Sequence, residues 1–418
     1  MSKSILIIGG GVIGLCTAYY CAQRGLAVTV LERKSAQRDG CSFGNAGMVV
    51  PSHFVPLAAP GAVALALKWM WGPASPFYLK PRPSWDLLSW SMHFWRAANA
   101  EHVRRAAPLL RDLSLASRAC YEELTGALGD DFGLVKKGLL MLCKEAHTLV
   151  EEAKTAELAR SLGIPAEVLD ATQTAERDPD ARMEVAGSVY FPLDCHLVPQ
   201  HFMDALQSQL MQLNVQFIWG SEAVGWELEN RRIRAVKVSS EDGIEASEFV
   251  LCGGSWSSQL VRGLGFKIPL QAGKGYSLTL QKPRQLPHIC SILSEARVAV
   301  TPMDGALRVG GTMEIAGLNE EINPFRVRGI VEAFCRYYPE FRLEDFDGVP
   351  PWRGLRPCSP DGLPFVGRTQ KFENLSLATG HAMMGMSLGP VTGKLMAAIL
   401  SGEGPAWDIS QLSPDRYG

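Results

Sequence analysis

The sequence lacks the features that mark a metal, nucleic-acid or disulfide protein. No charge of one sign dominates: 41 Lys and Arg against 43 Asp and Glu leave a net charge of −2. Proteins that grip a phosphodiester backbone carry a basic surplus, which argues against nucleic acid as the main partner. None of the ten cysteines forms a C-x-x-C pair, so the scattered thiols suit a reducing cytosol. The eight histidines form no H-E-x-x-H motif. Cys195, His196 and His201 come nearest to a metal set, but their spacing is wrong, and no metal is expected. No G-x-S-x-G nucleophile motif and no internal repeat occurs. The uncharged run near the N-terminus, Ile5 to Ala22, has the length of a spanning helix, yet Gly9 to Gly11 interrupt it. No targeting segment is therefore expected.

What is present suits a large globular chain. With 418 residues, 47% of them apolar, two or three domains are expected. Ser4–Ile8 reads as a buried strand, Val12–Arg24 as a helix closed by Gly25, and Ala27–Leu31 as a second strand. This unit predicts a parallel sheet. Five tryptophans (Trp69, Trp71, Trp85, Trp90 and Trp95) fall in a stretch cut by Pro73, Pro76, Pro81 and Pro83. That stretch reads as loops followed by helices over 84–128. Its tryptophans fit either a core or interface helix pair or a contact with a membrane surface. Further helices are expected over 144–162, Pro199–Leu213 and about Pro390–Leu400, the last capped by Gly402. A hairpin over Trp226–Val238 turns near Asn230, Glu248–Cys252 is a strand, and 276–313 alternates like strands. The mix is α/β at the start and α+β in the middle.

Gly9-x-Gly11-x-x-Gly14 follows the first strand and opens the first helix, and Glu32 closes the second strand. One glycine allows the tight turn, one allows close approach of a pyrophosphate, and the third lets helix and strand pack closely. The helix N-terminus adds unpaired N–H groups for the anion, and Glu32 can accept from ribose hydroxyls. Together these predict a dinucleotide site. The pattern alone leaves FAD and NAD open, although Glu32, despite the adjoining Arg33 and Lys34, disfavours a 2′-phosphate.

Cys41-Ser42-Phe43-Gly44-Asn45-Ala46-Gly47 resembles the S-x-x-N-A-G motif of the D-amino acid oxidase superfamily of FAD enzymes. Pro51-Ser52-His53, Pro56 to Gly61, Lys68-Trp69-Met70, Lys274 to Leu278 and Arg308 to Glu314 resemble its bacterial D-amino acid dehydrogenase branch. Gly354-Leu355-Arg356-Pro357 with Pro360-Asp361-Gly362 resembles its substrate-binding turn, and Gly380 to Gly385 its final flavin loop. The resemblance spans nearly the whole chain.

It implies a Rossmann-like FAD-binding domain (1–53, 195–265 and 345–418). It also implies a substrate domain on a mainly antiparallel sheet with helices (54–194 and 266–344). Gly9, Gly11, Val12, Ile13 and Gly14 would hold the pyrophosphate, with Glu32 and Arg33 at the adenosine ribose. Ser42, Asn45, Ala46, Gly47 and Met48 would line the pyrophosphate and flavin edge. Val224 would meet the adenine, and Gly253, Gly254 and Trp256 the ADP half. Gly385, Met386 and Ser387 would face the flavin carbonyl. Arg356 would bind the substrate carboxylate, with Arg353 as competitor and a structural pairing of Arg356 with Asp361 as the alternative. Tyr276 would assist, or be a core tyrosine. His53 and His381 would face the pocket, or be buried histidines bonded to backbone.

Met383 replaces the second arginine of the glycine oxidase branch, which implies a more apolar pocket. Cys358 is placed too late for a covalent flavin link, so FAD is expected to be noncovalent. The implied activity is oxidation of an amino acid, D by resemblance, or of a cyclic imino acid at the Cα–N bond. Electrons would go to a quinone or another acceptor. The expected location is the cytoplasm, with peripheral contact at the inner face of the membrane as an extension of it. An oxygen-using oxidase, a tRNA-modifying flavoenzyme and a noncatalytic FAD scaffold are the alternatives.

Overall fold

The computed structural model describes residues 3–70, 75–129, 132–239 and 243–418. Ile5 to Ile8 are all buried, as a strand covered on both faces requires. Ser4–Ile8 pairs in parallel with Ala27–Glu32 on one side and Glu248–Leu251 on the other. The complete sheet runs Phe365–Arg368, Leu375–Thr379, Glu248–Leu251, Ser4–Ile8, Ala27–Glu32, Gln216–Trp219, with only its first pair antiparallel. Residues from three distant parts of the sequence thus build one α/β layer. The hairpin Ala223–Glu229 and Arg232–Val238 stands beside it, turning through Asn230 at φ 56°.

A second, mainly antiparallel sheet faces this layer. Its order is Trp352–Cys358, Gln271–Leu280, Ala306–Ile315, Val298–Met303, Cys290–Leu293, Leu139–Cys143, Gly187–Phe191, Glu167–Asp170. Phe77–Leu79 adds in parallel to Ala306–Ile315. Trp352–Cys358, which the sequence groups with the FAD-binding segments, is therefore the edge strand of the second sheet. Helix Ala100–Leu128, grouped with the substrate segments, places Ala106, Leu110, Leu113 and Tyr121 in one core with Val12, Leu15 and Val30 of the first layer.

Two helices differ from the sequence reading. The apolar run from Ala62 belongs to a helix, Ala62–Trp69. The C-terminal helix begins at Gly385 rather than Pro390 and runs to Ser401. Pro390 lies inside it and cannot donate to the Met386 carbonyl one turn back. The buried Tyr121 hydroxyl donates to that carbonyl at 2.5 Å, which removes much of the cost of the proline. This helix with its preceding turn, Ala382–Ser401, is long and apolar enough to cross a membrane, yet 72% of that apolar stretch is buried against the rest of the chain. Trp71 and Pro73 of the tryptophan-rich stretch lie outside the described residues.

Tyr121→Phe leaves the Met386 carbonyl buried without a donor. It should destabilise the fold by about 1–3 kcal/mol, read as a lower urea midpoint with an unchanged m-value.

Candidate active site

A cleft of ≈ 510 Å³ runs along the C-terminal ends of the parallel strands and under the edge of the second sheet. Its wall contains Gly9, Gly11, Val12, Ile13, Glu32, Arg33, Ser42, Asn45, Val224, Gly253, Gly254, Trp256, His381, Gly385 and Met386, all named from the sequence. The first turn is built for close approach. Gly9 has φ +115°, and a Cβ there would lie 2.5 Å from the Cys252 carbonyl oxygen. A Cβ on Gly14 would lie 1.9 Å from the Gly9 carbonyl oxygen. Gly14 therefore lets helix and strand touch rather than lining the wall.

Two helices, Val12–Gln23 and Gly385–Ser401, begin at this cleft. Neither has a side-chain cap from its N-cap residue, and neither carries an acid in its first turn. Their N-terminal partial charge is left for an external anion or electron-rich oxygen. Glu32 accepts from the Gly10 amide at 2.7 Å and the Lys34 amide at 3.0 Å, which fixes its carboxylate at the end of the strand. Ser42 Oγ accepts from Val12 N at 3.0 Å. The Arg33 guanidinium lies 3.6 Å over the Trp256 ring, closing one end of the cleft.

Ala46, Gly47, Met48 and Ser387 stand behind the wall. Met48 pairs with His196 in a short two-stranded ladder, the Gly47 carbonyl accepts from Leu197 N, and Ser387 Oγ accepts from Val50 N at 2.9 Å. His53 is also off the wall. Ser52 Oγ links its Nδ1 (3.0 Å) to the buried Asp194 carboxylate (2.5 Å). Burial pushes Asp194 up to about 7 and His53 down to about 4.

His381 is buried on the wall. Its Nε2 meets Thr392 Oγ1 at 3.0 Å, while Nδ1 has no partner among the described residues. Burial pushes its pKa down to about 3, so the ring is neutral at ordinary pH.

The two arginines of the edge strand separate by face. Arg353 lies on the cleft wall and is engaged by Asp39 at 2.7 Å and Glu320 at 3.3 Å. Arg356 lies on the opposite face, beside the wall. Its Nη1 donates to the Thr312 carbonyl at 2.6 Å, and it forms no ion pair among the described residues. Thr312 stands at a register shift between strands with φ 69°, a strained angle for a β-branched residue, and this turn points its carbonyl at Arg356. The guanidinium lies over Gly275, where a Cβ would approach within 2.2 Å. The alternative pairing with Asp361 does not form: Asp361 binds Arg416 at 2.7 and 3.0 Å instead.

Tyr276 is buried in the second sheet. It pairs across the strands with Arg353, not Arg356, and its hydroxyl donates to the buried Glu314 at 2.7 Å. Burial first, then the Glu314 charge, raises its pKa. Met383 is exposed and off the wall. Cys358 is fully buried with its thiol pushed up by burial to about 12.

Sequence reasoning missed several residues of the site. Arg38 lies on the wall, donates to the Gly10 carbonyl at 2.9 Å and stacks over Trp219. Asp39 and Glu320 join it there as the partners of Arg353. None belongs to a periodic pattern, and only the fold brings them together.

The chain belongs to the DAO family of FAD-dependent oxidoreductases, whose sequence model matches residues 4–399. It is 32% identical over 424 residues to a D-amino acid dehydrogenase of Bradyrhizobium diazoefficiens, covering 99% of this chain and 98% of that one. It is 30% identical to a D-amino acid dehydrogenase of Granulibacter bethesdensis, covering 99% of both. In fold it is similar to glycine oxidase from Geobacillus kaustophilus (TM-score 0.79, 21% identity, 100% of both chains). It is also similar in fold to L-proline dehydrogenase from P. horikoshii (TM-score 0.76, 17% identity, 100% of this chain and 98% of that one). FAD is the cofactor of that family, and the glycine turn and the two helix N-termini at the cleft fit that group.

Because His381 is neutral when folded and protonated when unfolded, it contributes stability above its unfolded pKa of 6.5. That stability is lost as pH falls toward its folded value. In His381→Gln, the fall in unfolding free energy between pH 6.5 and 4 should lose the slope of about one proton. Urea titrations at several pH values measure this.

Proposed function

We propose that the protein is a D-amino acid dehydrogenase that oxidises a D-amino acid or cyclic imino acid at the Cα–N bond, with FAD held noncovalently. The single observation that carries the substrate half of this reading is Arg356. It is a guanidinium beside a redox-cofactor cleft, with no carboxylate partner among the described residues. Arg353, the competitor, already has two. A planar fork binds both oxygens of an α-carboxylate. The Thr312 carbonyl fixes the rotation of that fork, and Gly275 leaves it room.

Bound FAD supplies the hydride acceptor. Arg356 holds the carboxylate so that Cα–H is presented to that acceptor, which is a contribution of orientation. His381, neutral and buried on the cleft wall, adds no charge beside the bound groups. The amine, bound neutral, needs no dedicated base. Its lone pair forms the imine as Cα–H leaves, and water then gives a 2-oxo acid and ammonia; a cyclic amine gives a cyclic imine. The buried Cys358 thiol, with a pKa near 12, supports a noncovalent cofactor.

The names of the two relatives favour a dehydrogenase over an oxidase, so electrons are read as passing to a quinone or another acceptor. Helix Trp85–Ala97 supports a peripheral contact at the inner face of the cytoplasmic membrane. Trp85, Leu88, Met92 and Trp95 form one exposed stripe on it, with Trp85 85% and Trp95 67% exposed. Trp90, on the other face, is buried and bonds the Cys358 carbonyl.

The test is the visible spectrum of the holoenzyme during anaerobic addition of D- and L-amino acids, prolines included. Bleaching of the flavin bands by the D forms is expected, with slow recolouring in air and fast recolouring on adding a quinone. Bleaching by L forms alone, or none at all, overturns the reading. Arg356→Leu should keep the flavin spectrum while lowering kcat/KM at least about 30-fold, the cost of roughly 2 kcal/mol for losing a charged bidentate contact. Unchanged kinetics would remove Arg356 from the site.

A further inference from the structure

The loop Ser42-Phe43-Gly44-Asn45 is gripped from both layers. On the first layer, Ser42 Oγ accepts from Val12 N at 3.0 Å. On the second, three consecutive carbonyls face the mainly antiparallel sheet. Arg308 Nη1 donates to Phe43 O at 3.1 Å and to Asn45 O at 2.8 Å, and Ser277 Oγ donates to Gly44 O at 3.1 Å. Arg308 Nε is held by Thr279 Oγ1 at 3.0 Å.

Two features separate this grip from ordinary packing. The guanidinium is largely buried, and burial pulls its pKa down to about 10. Yet it makes no ion pair with any carboxylate among the described residues. Desolvated charges are normally paired, so this one stands uncancelled behind the loop. In a trans peptide the N–H points opposite to the C=O. Drawing the carbonyls of 43, 44 and 45 toward the sheet therefore turns the N–H groups of 44, 45 and 46 away from it. Asn45 N–H closes the turn over 41–44, the N–H groups of Gly44 and Ala46 have no acceptor within ordinary hydrogen-bond geometry among the described residues, and Phe43 and Asn45 lie on the cleft wall.

We propose that Arg308, assisted by Ser277, is a positioning residue for the cofactor. It fixes the peptide orientation of residues 43–45, so that the loop offers its amides to FAD. It also places an uncancelled positive charge behind them that favours the reduced, more electron-rich flavin. This rests on the reading of the cleft as an FAD site and adds the residue that tunes it.

The experiment compares purified wild type, Arg308→Met, Arg308→Lys and Ser277→Ala. It measures FAD affinity by fluorescence on dilution, the flavin midpoint potential by dye equilibration, and folding by circular dichroism. Arg308→Met should bind FAD at least tenfold more weakly. It should also lose at least tenfold in preference for reduced flavin, about 30 mV for a two-electron couple. Arg308→Lys keeps the charge without the fork, so its potential should return most of the way to wild type while its affinity stays low. Ser277→Ala should weaken FAD binding threefold or more with little change in potential.

A folded Arg308→Met with affinity and potential within twofold of wild type overturns the proposal. So does an equal loss of potential in Arg308→Lys and Arg308→Met, which would mean shape rather than charge. Should Arg308→Met fail to fold, unchanged FAD affinity in Ser277→Ala, or a Lys variant with a Met-like tenfold loss of potential, overturns it. A wild type that binds no FAD refutes the cofactor reading itself, an outcome distinct from any variant result.

Discussion

The rest of this structure depends on hydrogen-bonding capacity held open along the cleft. Elsewhere, long-range partners meet particular groups that would otherwise be stranded: Tyr121 takes the carbonyl freed by Pro390, and Arg416 takes Asp361. The cleft is built differently. Two helices begin there with no side-chain cap from their own N-cap residues and no acid in the first turn, and the buried His381 on its wall leaves Nδ1 without a partner among the described residues. Arg356 and Arg308, on the sheet above, have carbonyl partners and no carboxylate partner among the described residues. Each vacancy costs free energy in the chain alone and becomes favourable only when a polar, electron-rich ligand arrives. An FAD cofactor and an amino acid carboxylate have that chemistry.

The second sheet does more than roof the cleft. Its edge strand shows one arginine on each face, because three residues separate Arg353 from Arg356 and a strand alternates. Arg353 meets Asp39 from the loop after the nucleotide fold and Glu320 from the loop after Ala306–Ile315. That triad joins the two layers at the cleft mouth. Arg356 is kept free by the same alternation, and the register shift at Thr312 gives it a carbonyl in place of a carboxylate. Two arginines that look interchangeable in the sequence thus have different partners, carboxylates for one and a carbonyl for the other.

Much of this was legible before any coordinates. The Gly9–Gly14 turn with Glu32 is a local device: its spacing, flanking strand and helix carry the physics within about thirty residues. The strands and most helices follow from periodicity and caps, including the turn at Asn230 and the stop at Gly402. One reading failed for a reason of context: Pro390 reads as a helix start because proline suits a first turn, and only a tyrosine more than 260 residues away lets it sit inside. For Tyr276 the motif left a site role and a core role open, and the fold places its hydroxyl on a buried glutamate of the neighbouring strand.

The sequence by itself determined the nucleotide-binding turn, the kinds of secondary structure and the membership of the chain in its superfamily, because those signals act over a few residues or are spread over the whole length. The tertiary structure alone decided which arginine has a carboxylate partner, which glycine clears space for it, and which segments share a sheet. Those are properties of strand face and register, and of contacts between residues such as Phe43 and Arg308 that lie 265 positions apart. No local pattern encodes them, since the cost of leaving a charge unpaired depends on what the fold brings beside it.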